Sequence, residues 1–238
     1  MKHIKQIIFD ADDTLWANNI YYVEATNEFI KLTAEIGFDP RQVQSDFDRL
    51  EKQVVQKLGY GSKNFVYILE QLLKQYQTLN GKQINQQKFE AIINRFSDHP
   101  RSKPAIFDNV VSVLQDLKFH YDLYILTKGE QEEQKNKIIN AGMHQLVKSF
   151  FIVSEKNDQV YRYLLRENHW QAEETCMVGN SPKSDINPAL RCGMYAVYIP
   201  YSDTWKLDIE PIEDYKHHFI QIKEFADLRT IFLNQVSK

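Results

Sequence analysis

Cysteine is scarce in this 238-residue chain, which has only Cys176 and Cys192. With no secretory start, they indicate no disulfide framework, and we expect two small, buried apolar side chains in a reducing compartment. The apolar N-terminal run 4–9 is short and contains two polar residues, so it predicts a first strand and no signal sequence. No stretch approaches about 18 consecutive apolar residues, so no membrane-spanning helix is expected. These absences predict a soluble, cytoplasmic protein.

Charge of one sign is not in excess either, because 29 Lys and Arg nearly balance 32 Asp and Glu, for a formal net charge of -3. A nucleic-acid partner is therefore not expected, since such proteins usually carry a basic excess. Hydrophobic residues make up 43% and charged residues 26%, which argues against a disordered, collagen-like or fibrous chain. The seven histidines form no HxxxH or HExxH spacing, so zinc is not expected.

Apolar periodicity divides the chain into unlike parts. Residues 4–10, IKQIIFD, form a β-rich run that ends in an acidic turn, whereas about 20–97 contain no strand pattern and four helical stripes. After Pro104 an amphipathic helix near 110–117 begins an alternation of strands and helices, which is typical of a parallel sheet covered on both faces. Strands are predicted at 121–126, about 150–153, 175–178 and 194–199, with helices at about 130–141, 156–168 and 183–191, and an edge strand or loop followed by a terminal helix at 224–235.

The end of the first strand carries three carboxylates in four residues, Asp10, Asp12 and Asp13. Ligands of open α/β sheets bind beyond the carboxyl ends of the strands. Crowded carboxylates repel one another without a cation, and Mg²⁺ takes oxygen ligands, typically one or two carboxylates beside waters and phosphate oxygens. A solvated loop in which Asp12 or Asp13 caps a helix is the alternative.

Three later strand ends also present residues suited to Mg²⁺ or phosphate. Thr127 and Lys128 follow the second core strand and could hold an oxyanion, and Lys156 follows the third. Lys156 is predicted at a helix start, where a lysine opposes the macrodipole, which hints at a charge partner. The fourth end supplies Asn180 and Asp185 in a turn, and the conjunction of four such ends favours a functional site.

The segments FDADDTLW, ILTKG, SEK and VGNSPKSD resemble, in order and spacing, the four motifs of the haloacid dehalogenase superfamily of phosphohydrolases. The resemblance spans the whole chain. It implies an α/β, Rossmann-like, doubly wound parallel sheet core built from 1–16 and 99–238. It also implies that the helical insert 17–98, which lies between the first two motifs, is a cap domain.

The resemblance also implies residue roles. Asp10 would be the nucleophile that takes the phosphoryl group, and Asp12 would protonate the leaving oxygen and then activate water. Thr127 and Lys156 would hold the phosphoryl oxygens. Mg²⁺ would be bound by Asp10, by the backbone carbonyl of Asp12, and by Asp185 and Asn180.

Two residues depart from the common pattern of the superfamily. Asn180 stands where many relatives have Asp, so it keeps an oxygen and loses a charge; we expect Asp185 to carry the ionic metal contact and Asn180 to contribute an oxygen or orient a water, with a weaker Mg²⁺ affinity. Lys128 stands where asparagine is common. It is a candidate substrate contact or a solvated side chain.

The predicted function is hydrolysis of a small phosphorylated metabolite, such as a sugar phosphate or a nucleotide, by a Mg²⁺-dependent phosphatase. Asp12 disfavours a dehalogenase and a phosphonate-cleaving enzyme, whose patterns depart at this position, but a sugar-phosphate mutase stays open. A receiver-like, non-catalytic phosphate-binding module fits worse, because receivers are about half this length and lack an insert after the first strand. Trp16, Tyr21 and Tyr22 are candidates to line the substrate entrance.

Overall fold

The computed structural model describes residues 3–102, 104–213 and 217–233. The chain forms two compact units, one from Met1–Asn19 and Pro104–Lys238 and the other from Ile20–Lys103. The predicted insert 17–98 differs from the second unit by a few residues at each end. Its role as a cap stays a prediction.

Strands and helices alternate through most of the first unit, and helices alone form the second. The described strands, in chain order, are β1 Gln6–Phe9, β2 Trp16–Ala17, β3 Ala105–Ile106, β4 Asp122–Lys128, β5 Ser149–Val153, β6 Thr175–Gly179, β7 Tyr195–Tyr198 and β8 Phe219–Gln221. The described α-helices are α1 Asn19–Ala34, α2 Pro40–Leu58, α3 Ser62–Asn80, α4 Gln86–Ser102, α5 Val110–Leu117, α6 Gln131–Asn140, α7 Asp158–Glu167, α8 Asn187–Arg191 and α9 Leu228–Phe232.

Six strands form one parallel sheet in the order β5-β4-β1-β6-β7-β8. The chain builds outward from β1 to β5, then returns to the other side of β1 and builds outward again. This is the doubly wound α/β order, so the predicted fold class is confirmed. The topological switch lies between β1 and β6, where ligands of such sheets bind. Phe9 pairs with Ile125 of β4 and with Val178 of β6, so the carboxyl ends of these three strands meet at one edge.

Helices cover both faces of this sheet. Successive side chains of β1 point to opposite faces, so its apolar residues pack against helices on both sides. Ile7 and Phe9 join one apolar cluster with residues of α5 and α9. Ile8 joins another with residues of α7 and α8. All three are at most 1% exposed, which anchors β1 at the centre of the core and holds the segment that follows it in place.

The structure corrects two predicted helix starts. The helix predicted at 156–168 begins at Asp158, because Asn157 is its N-cap and accepts a hydrogen bond from the Val160 amide at 3.1 Å. Lys156 therefore precedes the helix and does not oppose its dipole. The helix predicted at 183–191 opens with a π-helical turn, Pro182–Ile186, and becomes α-helical only at Asn187.

The second unit contains four helices in its described residues, as the four apolar stripes predicted. Helix α2 begins where the Asp39 side chain accepts from the Arg41 amide, and α3 ends at Gly81, whose positive φ of 64° suits glycine. The buried core of the second unit is apolar and rich in aromatic rings, and includes Phe29, Phe47, Phe65 and Phe96.

One short strand precedes the second unit in the sequence and another follows it. Strands β2 and β3 pair antiparallel, with Trp16 opposite Ile106. Cys176 and Cys192 are both free. Within the part of the chain that the structure describes, no helix is both long and apolar enough to cross a bilayer.

Candidate active site

Asp10 lies at the carboxyl end of β1, next to the topological switch. Its backbone amide donates to the Val178 carbonyl of β6 at 2.9 Å, which ties this residue to the neighbouring strand. The Asp10 carboxylate is nearly buried; its Oδ2 accepts from the Thr14 hydroxyl at 2.8 Å, and its Oδ1 accepts from Lys156 Nζ. The predicted nucleophile is thus held from two sides within the core.

Lys156 connects Asp10 with Asp185, and these three residues are called the Lys156 centre below. Its Nζ also donates to Asp185 Oδ1 at 2.6 Å, and the lysine and Asp185 side chains are at most 1% exposed. Burial raises the pKa of Asp185 to about 7, reinforced by the Asp10 carboxylate and opposed by Lys156. Burial alone would lower the pKa of Lys156, but the two carboxylates outweigh burial and raise it above its ordinary value.

Gly179 makes the position of Asp185 possible. A Cβ atom at position 179 would lie 2.3 Å from Asp185 Oδ2, which is far closer than nonbonded atoms approach. The same Oδ2 accepts from the Ser181 amide at 3.0 Å. The Asp185 carboxylate can therefore pack against the last residue of β6 only because residue 179 has no side chain.

Asp12 belongs to a second cluster, the Lys137 centre, formed with Lys137, Gln134 and Trp16. Lys137 Nζ donates to both Asp12 oxygens at 3.0 and 2.9 Å, Gln134 Nε2 donates to Oδ2 at 2.9 Å, and Trp16 Nε1 donates to Oδ1 at 2.6 Å. Burial would raise the pKa of Asp12, but Lys137 and these hydrogen bonds outweigh it and lower the pKa below its ordinary value.

Asp13, the third carboxylate of the first motif, caps the chain segment that enters α1. Its Oδ1 accepts from the backbone amides of Asn18 and Asn19 at 2.8 and 3.0 Å, and its own φ is +63°. Burial raises the pKa of Asp13 to about 8, although these two amides oppose the rise. The alternative considered for the acidic turn, a solvated loop with a helix-capping aspartate, fits Asp13 only in part, because its side chain accepts from the first amide of α1 but is buried.

Thr127 is buried at the end of β4, at the sheet edge where Asp10 lies. The next residue, Lys128, is the candidate substrate contact or solvated side chain of the sequence analysis. Its Nζ donates to Asp208 Oδ1 at 2.7 Å and to Ser184 Oγ at 2.8 Å, and it lies 5.4 Å from the centre of the Trp205 ring. Lys128 thus pairs with a residue that follows β7. A substrate contact by Lys128 stays a prediction.

Asn180 connects the first motif with the loop after β7. Its Oδ1 lies 3.3 Å from the Thr14 hydroxyl, and its Nδ2 donates to Thr204 Oγ1 at 3.3 Å. The Thr204 hydroxyl in turn donates to the Tyr201 carbonyl at 2.8 Å, so towards Asn180 it can only accept. An amide suits position 180 because an aspartate would place a carboxylate oxygen, which can only accept, against the accepting Thr204 Oγ1.

The donor set that could hold a divalent cation consists of oxygen atoms alone. In the described residues no three His, Cys, Asp or Glu side chains are grouped as a metal site. The Lys156 centre does present two buried carboxylates with formal charge -2 against one lysine of +1. Two carboxylates, an amide oxygen and a backbone carbonyl fit Mg²⁺, which keeps several waters and binds few protein ligands.

Sequence reasoning missed Lys137, Gln134 and Gly179. The signal for the first two lies in α6, whose sequence QEEQKNKIIN is mostly polar although the helix packs on the core. Its buried residues include Gln134 and Lys137, three positions apart and hence on one face. Trp16, predicted at the substrate entrance, is 1% exposed and donates to Asp12, whereas Tyr21 and Tyr22 are partly buried against the core of the second unit.

The family model for haloacid dehalogenase-like hydrolases matches residues 4–193, which include all four motifs. The chain belongs to this family. A glyceraldehyde 3-phosphate phosphatase from Methanocaldococcus jannaschii is 24% identical over 234 residues, covering 94% of this chain and 96% of the relative. Another from Methanopyrus kandleri is 25% identical over 223 residues, covering 90% and 92%.

Solved structures of haloacid dehalogenase-like hydrolases share the fold. A family hydrolase from Xanthomonas campestris superposes with a TM-score of 0.79 at 24% identity, covering 98% of this chain and 92% of that one. The hydrolase YfnB from Bacillus subtilis, solved with bound magnesium, has a TM-score of 0.64 at 18% identity, covering 97% and 99%. At these identities the likeness concerns the fold.

Proposed function

We propose that this haloacid dehalogenase-like hydrolase is a Mg²⁺-dependent phosphatase that acts on a small phosphorylated metabolite through a phosphorylated Asp10. The observation that carries the proposal is the Lys156 centre, in which a buried carboxylate at the switch point of the sheet pairs with a lysine that also pairs with a second buried carboxylate. Asp12 follows two residues later, and the two relatives described above are named phosphatases.

The first half of the reaction transfers the phosphoryl group to the protein. A carboxylate oxygen of Asp10 forms a bond to phosphorus as the bond from phosphorus to the ester oxygen breaks. The negative charge of the bound phosphate raises the pKa of Asp12 from its lowered value in the free chain, so that Asp12 enters the step protonated and gives its proton to the leaving oxygen. The substrate departs as an alcohol. Lys156 and Thr127 hold the phosphoryl oxygens, and the lysine offsets the charge that gathers on them.

The second half releases phosphate. A water molecule attacks the phosphorus of phosphorylated Asp10 while Asp12, left ionised by the first half, accepts a proton from it. The bond between phosphorus and the Asp10 oxygen breaks, which restores the free carboxylate. One residue serves both halves because the first leaves it in the form that the second needs.

Asp10, Asp185, Asn180 and the backbone carbonyl of Asp12 would hold the magnesium ion. When bound, Mg²⁺ neutralises negative charge on the phosphoryl group and on the two carboxylates. Lys156 alone leaves one formal negative charge of the Lys156 centre uncompensated, so this chain supplies the charge that a divalent cation needs. The Thr14 hydroxyl lies 2.8 Å from Asp10 Oδ2 and 3.3 Å from Asn180 Oδ1 and would help to orient these two oxygen donors.

The substrate class that we propose first is a triose phosphate, because the two relatives named above are glyceraldehyde 3-phosphate phosphatases. At 24–25% identity these relatives support a small phosphorylated substrate as a class, and glyceraldehyde 3-phosphate is the first member of that class to test. A sugar-phosphate mutase would use the same Asp10 and Asp12. It would return the phosphoryl group to a sugar and release no inorganic phosphate.

The test measures phosphate release from 4-nitrophenyl phosphate and from glyceraldehyde 3-phosphate, with Mg²⁺ and with EDTA. We expect release that needs Mg²⁺ and that is lost in Asp10→Asn. Asp108→Asn, at an exposed position of the same unit, is the matched control and should keep full activity. Equal release by the native chain and Asp10→Asn would remove Asp10 as the nucleophile, and a native chain that releases no phosphate from any phosphomonoester would contradict the proposed function.

A further inference from the structure

Helix α6 turns polar residues towards the protein interior. Of its ten residues, the four buried ones are Glu133, Gln134, Lys137 and Ile138, and only the last is apolar. Burying an unpaired amide or ammonium costs free energy, so polar groups on the inner face of a helix need partners there. The partners of this face therefore show what the helix is positioned to hold.

Lys137 uses all three hydrogens of its ammonium group. The side chain is 2% exposed, and Nζ donates to Asp12 Oδ1 at 3.0 Å, to Asp12 Oδ2 at 2.9 Å and to Asn18 Oδ1 at 2.8 Å. Two of these three bonds grip one carboxylate at both oxygens. The lysine thereby restricts both the place and the rotation of the Asp12 carboxylate.

Gln134 and Trp16 also donate hydrogen bonds to the Asp12 carboxylate, one to each oxygen. With the bonds from Lys137, each carboxylate oxygen accepts from two donors, Oδ1 from Trp16 and the lysine and Oδ2 from Gln134 and the lysine. Gly129 makes room for Gln134, since a Cβ at this position would lie 2.8 Å from Gln134 Nε2. The carboxylate cannot rotate without breaking bonds on both sides.

Stability alone does not account for this arrangement. A buried ion pair recovers little more than the cost of removing its charges from water, and apolar replacements of similar volume are often at least as stable. Among the described residues, Gln134 Oε1 is also a buried acceptor with no hydrogen-bond partner, which is a further cost. A costly polar cluster around one carboxylate is better explained by a task of that carboxylate.

We propose that Lys137 is a positioning residue that holds the Asp12 carboxylate in the orientation in which it transfers protons during phosphate ester hydrolysis. The proposal rests on the proposed function, in which Asp12 is the acid and base. Lys137 acts through Asp12 and is distinct from Lys156, which contacts Asp10 and Asp185. The two buried lysines thus divide the work between proton transfer and phosphoryl transfer.

The central experiment compares Lys137→Met with Lys135→Met. Both substitutions remove a lysine from α6, but Lys135 is exposed and serves as the matched control. Because a displaced acid impairs the chemical step more than binding, we expect Lys137→Met to lower kcat by about 10–100-fold with little change in KM. The loss in kcat/KM should be larger for phenyl phosphate than for 4-nitrophenyl phosphate, whose leaving group needs less protonation. Lys137→Arg, which keeps charge and donors, should restore part of the activity.

A double-mutant cycle separates positioning from a general loss of structure. In an Asp12→Asn background, removing Lys137 should cause no further loss of kcat/KM for 4-nitrophenyl phosphate, since the residue acts through Asp12. A merely structural lysine would add its full loss to that of Asp12→Asn. Circular dichroism checks the fold of each variant, and Lys137→Gln replaces Lys137→Met in every comparison if the methionine variant is unfolded.

A second readout needs no activity. The chain has three tryptophans, and the indole N–H of Trp16 donates to Asp12 Oδ1. In ¹⁵N-labelled protein this indole signal, assigned with Trp16→Phe, should shift in Lys137→Met and stay in place in Lys135→Met. A shift together with a non-additive cycle supports the proposal.

Two results would overturn it. One is an unmoved Trp16 signal with unchanged kcat/KM in Lys137→Met, and the other is full additivity with Asp12→Asn. In both cases the native chain still releases phosphate and the proposed function stands. A native chain without phosphatase activity, by contrast, contradicts the proposed function and the positioning role with it.

Discussion

Two buried lysines hold carboxylates near the end of β1, yet their surroundings differ. Lys156 is shared between the carboxylates of Asp10 and Asp185, whereas Lys137 donates twice to the single carboxylate of Asp12 and once to a neutral amide. The Lys156 centre therefore has one formal negative charge in excess among these ionised groups. Lys137 Nζ also lies 4.0 Å from the buried carboxylate of Glu133, so the two sites differ in how each lysine is hydrogen-bonded and not in net charge.

This difference in hydrogen bonding indicates different tasks for Asp10 and Asp12, which are only two positions apart. An excess of negative charge in a buried place attracts a cation, which agrees with the Mg²⁺ and phosphate chemistry proposed for Asp10. The Asp12 carboxylate is instead fixed in orientation by four donors, and in the proton transfer proposed for it one of these bonds is exchanged for the leaving oxygen or the water. The same residue type thus acquires its role from the partners that the fold supplies.

The largest expected effect comes from breaking the Lys156 centre. Lys156→Met leaves two buried carboxylates without the cation that they share, so we expect a loss of about 3–5 kcal/mol in the free energy of unfolding and of about 10²–10³-fold in kcat. Urea unfolding in EDTA and phosphate release measure the two effects. Lys148→Met, which removes a surface pair with Asp122, is the control and should change neither. Native-like stability of Lys156→Met would contradict the electrostatic account.

Metal binding should distinguish the two centres directly. Saturating Mg²⁺, at about 100 times its Kd, should stabilise the native chain by about 2.7 kcal/mol, because the ion binds only the folded state. Thermal unfolding should show this shift in Lys137→Met and not in Asp185→Asn. If the Mg²⁺ shift is lost in Lys137→Met and kept in Asp185→Asn, the assignment of the metal ligands to the Lys156 centre is wrong.

Asp13 extends the comparison to a carboxylate held by backbone amides. Its pKa is about 8 in the folded chain against an ordinary value of 3.8, so between these values the folded state binds one proton more than the unfolded state. The free energy of unfolding therefore falls as pH rises through this window, by about 1.4 kcal/mol per pH unit from this group. Asp13→Asn should remove that contribution. Urea unfolding in EDTA from about pH 5 to pH 8 checks this prediction, which fails if both chains have the same slope.

Asn180→Asp should add negative charge near the Lys156 centre with a smaller loss in the free energy of unfolding. A third carboxylate beside the Lys156 centre raises its negative charge, so we expect half-maximal activity at a lower Mg²⁺ concentration. The aspartate also loses the bond that the amide donates to Thr204, which should lower the free energy of unfolding by about 1 kcal/mol. A Mg²⁺ titration of turnover measures the first effect. An unchanged Mg²⁺ dependence would show that Asn180 takes no part in metal binding.

Lys128 is expected to have the smallest effect. Its pair with Asp208 is partly exposed, with side chains 15% and 12% accessible, so Lys128→Met should cost about 1 kcal/mol or less. Because its ammonium contacts Asp208 and Ser184, we expect KM for phosphorylated substrates to change less than twofold. A tenfold rise in KM would instead support the substrate contact that the sequence suggested.

The fold was largely predictable because its signals are local. Residues 7–9 of β1, IIF, are apolar on both faces, and strand and helix periods alternate after 104, which together indicate a parallel sheet. The prediction that Asp10, Thr127 and Asn180 share one sheet edge follows from this topology alone. The helix start at Lys156 was wrong, because the N-cap at Asn157 outweighed the apolar pattern.

The sequence by itself determined the order of the elements, the four-helix insert and the residues placed after the strand ends, since periodicity and turn chemistry depend on near neighbours. Only the tertiary structure decided which lysine meets which carboxylate. Lys137 and Asp12 are 125 positions apart, and Lys128 and Asp208 are 80 apart. These partners depend on the rotation of α6 and on the path of the chain after β7, which result from packing of the whole first unit.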